Sequence, residues 1–114
     1  MVTYINNKKA VFDYEIIKQY EAGLVLFGYE VKALRLGRGK LAGAHITIRD
    51  GEAFLIGASI AIYQAANTPE GYNPERTRKL LLTKKELSEL DQKGKQSGLT
   101  IVPIRLYSLS LIHI

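Results

Sequence analysis

Apolar and polar positions change period several times along the chain. Residues 12–27, FDYEIIKQYEAGLVLF, are rich in aromatic and β-branched side chains, which predicts strand. Gly23 lies inside this run and predicts a bulge or bend. A bent strand that serves two parts of one curved sheet is what a small barrel requires. From Gly28 to Gly37 the period becomes helical. Val31 and Leu34 lie three apart, as do Lys32 and Arg35, so a short helix separates an apolar stripe from a basic one. Gly37 is its natural stop.

The clearest hairpin follows. Residues 44–49 (AHITIR) alternate, Asp50-Gly51 is a strong two-residue turn, and residues 52–62 return as an apolar strand. Residues 64–73 hold Pro69, Gly71 and Asn73 and read as a loop. Asn73-Pro74 resembles an N-cap followed by proline at the first helical position, which predicts a helix over NPERTRKLLL. Thr83 and Glu86 form a capping-box pattern that restarts a helix with Leu87 and Leu90 on its apolar stripe and Gly98 at its end. Residues 99–107, LTIVPIRLY, predict a further strand, with Pro103 pointing to an edge or a bulge.

Strands therefore dominate and helices interrupt them. The preferred fold class is mainly β: a partly closed antiparallel barrel like the oligonucleotide-binding fold, of about five to six strands with two to three peripheral helices. An α+β sandwich is the alternative.

The chain has 114 residues, enough for one core and too few for two ordinary domains. Its 46% apolar and 24% charged residues suit a folded domain rather than a disordered one. No apolar run is long enough to span a bilayer. Residues 1–10 lack the pattern of a secretory signal. Cysteine is absent, which excludes disulfides, thiolate metal sites and a cysteine nucleophile, and fits a cytoplasmic location. Sixteen Lys and Arg against eleven Asp and Glu leave a net charge of +5. A basic domain suits a polyanion, because each neutralised phosphate releases counterions; solubility alone is the plainer reading.

Three basic clusters carry candidate chemistry. Lys32 and Arg35, with Arg38 and Lys40 after them, suit a curved phosphate backbone or an ordinary solvated helix face. Arg76, Arg78 and Lys79 precede Leu80-Leu81-Leu82, with Lys84 and Lys85 beyond. Cations beside an apolar run can hold phosphates while a leucine packs on a base or ribose. Asn7-Lys8-Lys9 offers an amide to base edges and two lysines to phosphate, or is a merely flexible terminus. Glu21 and Glu30 stand among cations, where a carboxylate usually orients Arg or Lys. A catalytic acid–base pair lacks other partners. His45 and His113 have no ligand spacing, and neither a phosphate-binding loop nor a nucleophile elbow is present.

Taken together, these segments resemble the SsrA-binding protein (small protein B) family. The resemblance rests on NKKA at 7–10, FDYE at 12–15, EAGL at 21–24 and GYEVKALR at 28–35. It continues through DGEAFL at 50–55, PERTRKLLL at 74–82, KEL at 85–87, GLT at 98–100, Val102-Pro103 and Leu106-Tyr107. It implies a barrel with peripheral helices that binds the tRNA-like domain of transfer-messenger RNA and acts with it in trans-translation at stalled ribosomes. The implied partners are that RNA and the ribosome, with no cofactor, metal, membrane or small-molecule substrate and no catalysis. Asn7, Glu21 and Leu81 match the family's RNA-contact positions. Lys8, Lys9, Lys32, Arg35, Arg38, Lys40, Arg76, Arg78 and Lys79 complete the expected RNA-binding set.

The sequence departs from the family at Ala42-Gly43-Ala44-His45 and again after Tyr107. The family continues with another strand and a basic tail, whereas SLSLIHI at 108–114 looks different. The expected organisation is one RNA-binding domain over 1–107 and an atypical end over 108–114, with rescue impaired. The end could instead form a short edge strand, since Leu109 and Leu111 alternate with Ser108 and Ser110. A general ribosomal-RNA-binding module is the alternative function.

Overall fold

The computed structural model describes residues 3–62, 70–95, 99–107 and 111–114. In chain order these form β1 (Thr3–Asn6), α1 (Lys8–Asp13), β2 (Glu21–Leu24), α2 (Gly28–Arg35), β3 (Gly39–Lys40) and β4 (His45–Arg49). Then come β5 (Glu52–Ile56), β6 (Ser59–Ile60), β7 (Arg78–Leu81), α3 (Lys84–Gly94), β8 (Arg105–Tyr107) and β9 (Leu111–His113). Seven strands make one antiparallel sheet in the order β1-β8-β9-β2-β7-β5-β4, and β3 pairs with β6 in a second, two-stranded sheet.

The sheet is not a closed barrel, but its two ends are tied together. Residues 99–104 lead into β8 beside the β1 edge, and the Ile101 carbonyl accepts a 2.9 Å hydrogen bond from Ile46 N–H in β4, the opposite edge. Asn7 strengthens this seam. Its side-chain amide donates to Pro103 O at 2.9 Å and to Leu41 O at 3.3 Å, and its N–H donates to Ile104 O at 2.8 Å. The partly closed, mainly β architecture expected from the alternation is the one found, with more strands than foreseen.

The core runs through the inward faces of the strands, with Leu24, Ile46, Leu55, Leu80, Leu106 and Ile112 among its buried members and Leu34 and Leu90 added from the helices. Each such side chain contributes roughly 1.5–3 kcal/mol by leaving water.

Local signals explain most elements. Asp50 and Gly51 have φ of 51° and 74°, the pair of left-handed residues that a tight hairpin turn demands, and β4 and β5 pair on either side. Gly37, at φ 72°, ends α2 as foreseen. Thr83 Oγ1 accepts from Glu86 N–H while Glu86 Oε1 accepts from Thr83 N–H, so the capping box starts α3.

Other expectations are corrected. Residues 12–27 are not one strand. Asn7 Oδ1 caps α1 through Ala10 N–H, and strand is confined to β2. Phe12 and Ile17 remain 90% and 73% exposed, so their apolar character did not signal burial. The NPERTRKLLL helix is also absent. Asn73 Oδ1 accepts from Glu75 N–H in a tight turn, and Arg78–Leu81 is strand β7, with Arg78 and Leu80 buried and Lys79 and Leu81 exposed. A buried arginine disguised the two-residue period.

The expected strand over 52–62 divides at Gly57 into β5 and β6. Only Arg105–Tyr107 of the expected 99–107 strand is regular, and α3 ends at Gly94. The loop expected over 64–73 lies outside the described residues up to position 69. Last, β9 is not at an edge. It pairs with β8 on one side and β2 on the other, and Ile112 and Ile114 are part of the core.

Candidate nucleic-acid interface

Strands β2 and β7 lie side by side with Gly23 opposite Leu81 and Leu24 opposite Leu80. Ala22, Leu24, Arg78 and Leu80 point inward, so Glu21, Gly23, Lys79 and Leu81 share the outer face. Leu81 is 56% exposed. Gly23 makes room for it: a Cβ placed there would stand 3.2 Å from Leu81 Cβ. Lys79 Nζ donates to Glu52 at 2.8 Å across to β5. The exposed Glu21 carboxylate accepts a hydrogen bond from the Tyr107 hydroxyl of β8. Burial, then that hydrogen bond to a carboxylate, pushes the Tyr107 phenol up to about 12. The tyrosine thus stays protonated and donates to Glu21 Oε2.

A second constellation sits beneath. Glu30 of α2 is fully buried. Oε1 accepts from Phe27 N–H at 2.9 Å, which caps the helix start, and from Arg76 Nη2. Oε2 accepts from Arg78 Nη2 at 2.7 Å and from both Nε groups at 3.1 Å. The Tyr72 hydroxyl lies 2.9 Å from the same oxygen and accepts from Arg78 Nη2. Arg78 also donates to Ala58 O and Pro74 O. Burial pushes the Glu30 carboxyl up, but the Arg76, Phe27 and Arg78 donors outweigh it and hold the group below the usual carboxylate value. Burial and the neighbouring carboxylate raise Tyr72 to about 12. No buried side-chain polar atom among the described residues lacks a partner.

The expected RNA-binding residues divide by element. Glu21, Lys79 and Leu81 come together on the outer sheet face. Lys32 and Arg35 are exposed on α2, and Arg38 and Lys40 are exposed just beyond it, with Arg38 reaching Ile62 O at 3.5 Å. Lys8 and Lys9 are exposed on α1 beside Phe12. Arg76 is three-quarters buried over the Phe27 ring, its guanidinium carbon 4.2 Å from the centroid. Two of the set are interior. Asn7 is buried in the seam and Arg78 is wholly enclosed, because each serves as the donor that satisfies carbonyls or a carboxylate the fold would otherwise strand. Neither side chain is presented to an outside ligand in this conformation.

Sequence reasoning placed Glu30 correctly as an acid that orients arginines. It gave no role to Tyr107, Tyr72 or the Phe27–Tyr29 pair, although Tyr29 and Tyr107 lie in the quoted family motifs. Glu21 and Glu30 do not form an acid–base pair, since the second is enclosed by two guanidinium groups. No cluster of metal-ligating residues occurs among the described residues. No helix there is long and apolar enough to cross a membrane. A groove of about 510 Å³ lies between residues 14–20 and α3, and the Lys18 and Lys93 cations at its rim are both bound to Glu89.

Comparisons with known proteins converge. A family model described as "SmpB protein" matches residues 4–113, through the last strand. The chain is similar to the SsrA-binding protein of Cupriavidus necator, at 49% identity over 93% of this chain and 71% of that one. It is 52% identical to the SsrA-binding protein of Solidesulfovibrio magneticus over 89% of this chain and 65% of that one. Among solved structures, one described as "tmRNA-SmpB: a journey to the center of the bacterial ribosome" superposes with a TM-score of 0.77 and 40% identity, covering 96% of this chain and 78% of the other. A family match over nearly the whole chain, with close relatives and a shared fold, shows that this chain belongs to the SmpB protein family.

Proposed function

We propose that this protein is a non-catalytic RNA-binding protein that binds the tRNA-like domain of transfer-messenger RNA and acts with it at the ribosome in trans-translation. The observation that carries this is the outer face of β2 and β7, where an oriented carboxylate, an exposed leucine and a lysine stand together. Glu21 accepts from base or ribose donors, Leu81 packs on an apolar base or sugar edge, and Lys79 meets phosphate. Lys8, Lys9, Lys32, Arg35, Arg38 and Lys40 extend the positive surface along which a folded RNA lies. Asn7 and Arg78 support that surface from inside, and Arg76 stands at its border. The names of the relatives and of the solved complex support the same reading.

A competition titration tests it. A tRNA-like RNA fragment is expected to displace the protein from bulk double-stranded RNA. Equal binding to both would favour the alternative, a general ribosomal-RNA-binding module held by charge alone. Glu21→Ala should weaken binding to the tRNA-like fragment more than to random RNA, whereas Lys79→Ala should weaken both.

A further inference from the structure

Arg76 reads in the sequence as one cation among several, yet its surroundings differ from those of the exposed lysines. Nε and Nη2 both donate to Glu30, and Nη1 lies 3.4 Å from Thr77 O. Most of its polar edge is therefore turned to the protein, which leaves a poor fork for a phosphate. One face of the guanidinium rests on Phe27. Phe27 in turn stacks on Tyr29, with ring centroids 5.3 Å apart and planes inclined by 26°, and Tyr29 meets Tyr72 edge-on at 5.2 Å. The Arg76 side chain still keeps 24% of its surface in solvent, and Phe27 keeps 49%.

Charge favours an electron-rich ring here. Arg76 and Arg78 carry two positive charges against the single carboxylate of Glu30, and Arg78 is sealed inside. The remaining charge is presented at a fixed, planar and weakly hydrated group, the kind of surface on which bases stack. The place is also continuous with the face already described. Val25 N–H donates to Lys79 O at 3.0 Å, which carries the β2–β7 pairing past the end of β2. Val25 and Phe27, 46% and 49% exposed, then follow Glu21 and Gly23 at two-residue spacing. At about 3.3 Å per residue the row from Glu21 to Phe27 spans roughly 20 Å.

We infer that the solvent face of the Arg76 guanidinium, backed by Phe27, is a stacking site for one unpaired nucleobase of the bound RNA. The inference rests on the RNA-binding reading above and deepens it. Arg76 acts as a plane rather than as a point charge. Glu30 is the positioning residue that sets the plane, and Phe27 is the floor beneath it.

The test uses the full chain and two variants, Arg76→Lys and Phe27→Leu. Each is titrated with the tRNA-like RNA and with a short single-stranded RNA carrying 2-aminopurine, at several salt concentrations. Lysine keeps the charge but lacks the plane, so Arg76→Lys is expected to weaken binding by about fivefold or more and to leave the salt slope unchanged. Phe27→Leu, at a half-exposed position, is expected to weaken binding similarly. Both variants should reduce the 2-aminopurine quenching seen with the parent. Parental affinity in Phe27→Leu, with its melting temperature retained, would overturn the inference even if Arg76→Lys failed to fold. Parental affinity and parental 2-aminopurine quenching in a folded Arg76→Lys would also overturn it, by showing that the charge suffices without the plane. If the parent shows no preference for the tRNA-like RNA while the variants still weaken binding to the single strand, the transfer-messenger reading fails and the stacking site stands.

Discussion

Glu30 Oε2 lies 2.7 Å from Arg78 Nη2, and solvent reaches neither side chain. The pair joins the start of α2 to β7, and through Arg76 it also holds the segment entering that strand. Breaking a buried pair strands the surviving charge, which costs about 3–5 kcal/mol. Arg78→Met should therefore lower the unfolding free energy by about that much, read from urea midpoints. A loss below about 1 kcal/mol would show that Arg76 alone satisfies Glu30.

Asn7 is expected to act through the fold. Asn7→Ala takes its donor from the Pro103 carbonyl, leaves the Leu41 carbonyl with Ala44 N–H alone, and removes the cap of α1. The expected cost is about 1–3 kcal/mol, with RNA affinity per folded molecule preserved. Stability unchanged but affinity lost would instead make Asn7 a direct contact.

Gly23 tests the packing of Leu81. A methyl group at position 23 would meet Leu81 Cβ at 3.2 Å and tilt the exposed side chain. Leu81 has open solvent to move into, and alanine also lowers the entropy lost on folding. Gly23→Ala should thus change stability by less than about 1 kcal/mol. Binding of the tRNA-like RNA should fall several-fold, and gel-shift titrations beside thermal melts would separate the two effects.

Lys79 is paired with Glu52, which competes with the phosphate contact proposed for it. Both partners are about half exposed, so the pair itself contributes little to stability, about 0–1 kcal/mol. Glu52→Gln frees the ammonium and should tighten RNA binding at low salt, whereas Lys79→Ala should flatten the salt dependence by about 0.7–0.9. Weaker binding by Glu52→Gln would mean that Glu52 contacts the RNA itself.

The raised Tyr72 and Tyr107 phenols make stability depend on pH in the alkaline range. An ordinary tyrosine ionises near pH 10, whereas both of these hold their protons to about 12 in the fold. Between those values the unfolded chain has lost protons that the folded one keeps. The contribution is fully present below pH 10 and is lost as pH rises towards 12. Melting temperatures should fall over that window. Glu21→Gln, which removes the carboxylate beside Tyr107, should make the fall smaller and end it at a lower pH, with the onset near pH 10 unchanged.

The signals that could be read from the chain were those that act over a few residues. The Asp50-Gly51 turn, the stop at Gly37, the Thr83–Glu86 capping box and the paired stripes of α2 each depend on neighbours within one turn of chain. The family motifs likewise lie in short runs such as EAGL at 21–24 and PERTRKLLL at 74–82. Misreadings arose where a residue's environment comes from far away. The burial of Asn7 could not be read locally, because the carbonyl of Pro103 that claims its amide is 96 positions distant. Arg78 stood in a run that alternates inward and outward, yet an arginine facing inward hid the alternation until Glu30, 48 positions away, was seen to receive it.

By itself, then, the order of residues determined a basic, mainly β domain, with the Asp50-Gly51 turn, the α2 helix and the capping box of α3 in their places. Tertiary structure decided which polar groups are tools and which are supports. It also put the last strand between β8 and β2. The physical reason is that burial of a charged or polar group is favourable only when distant donors and acceptors meet it, and strand pairing across the sheet is what brings them together.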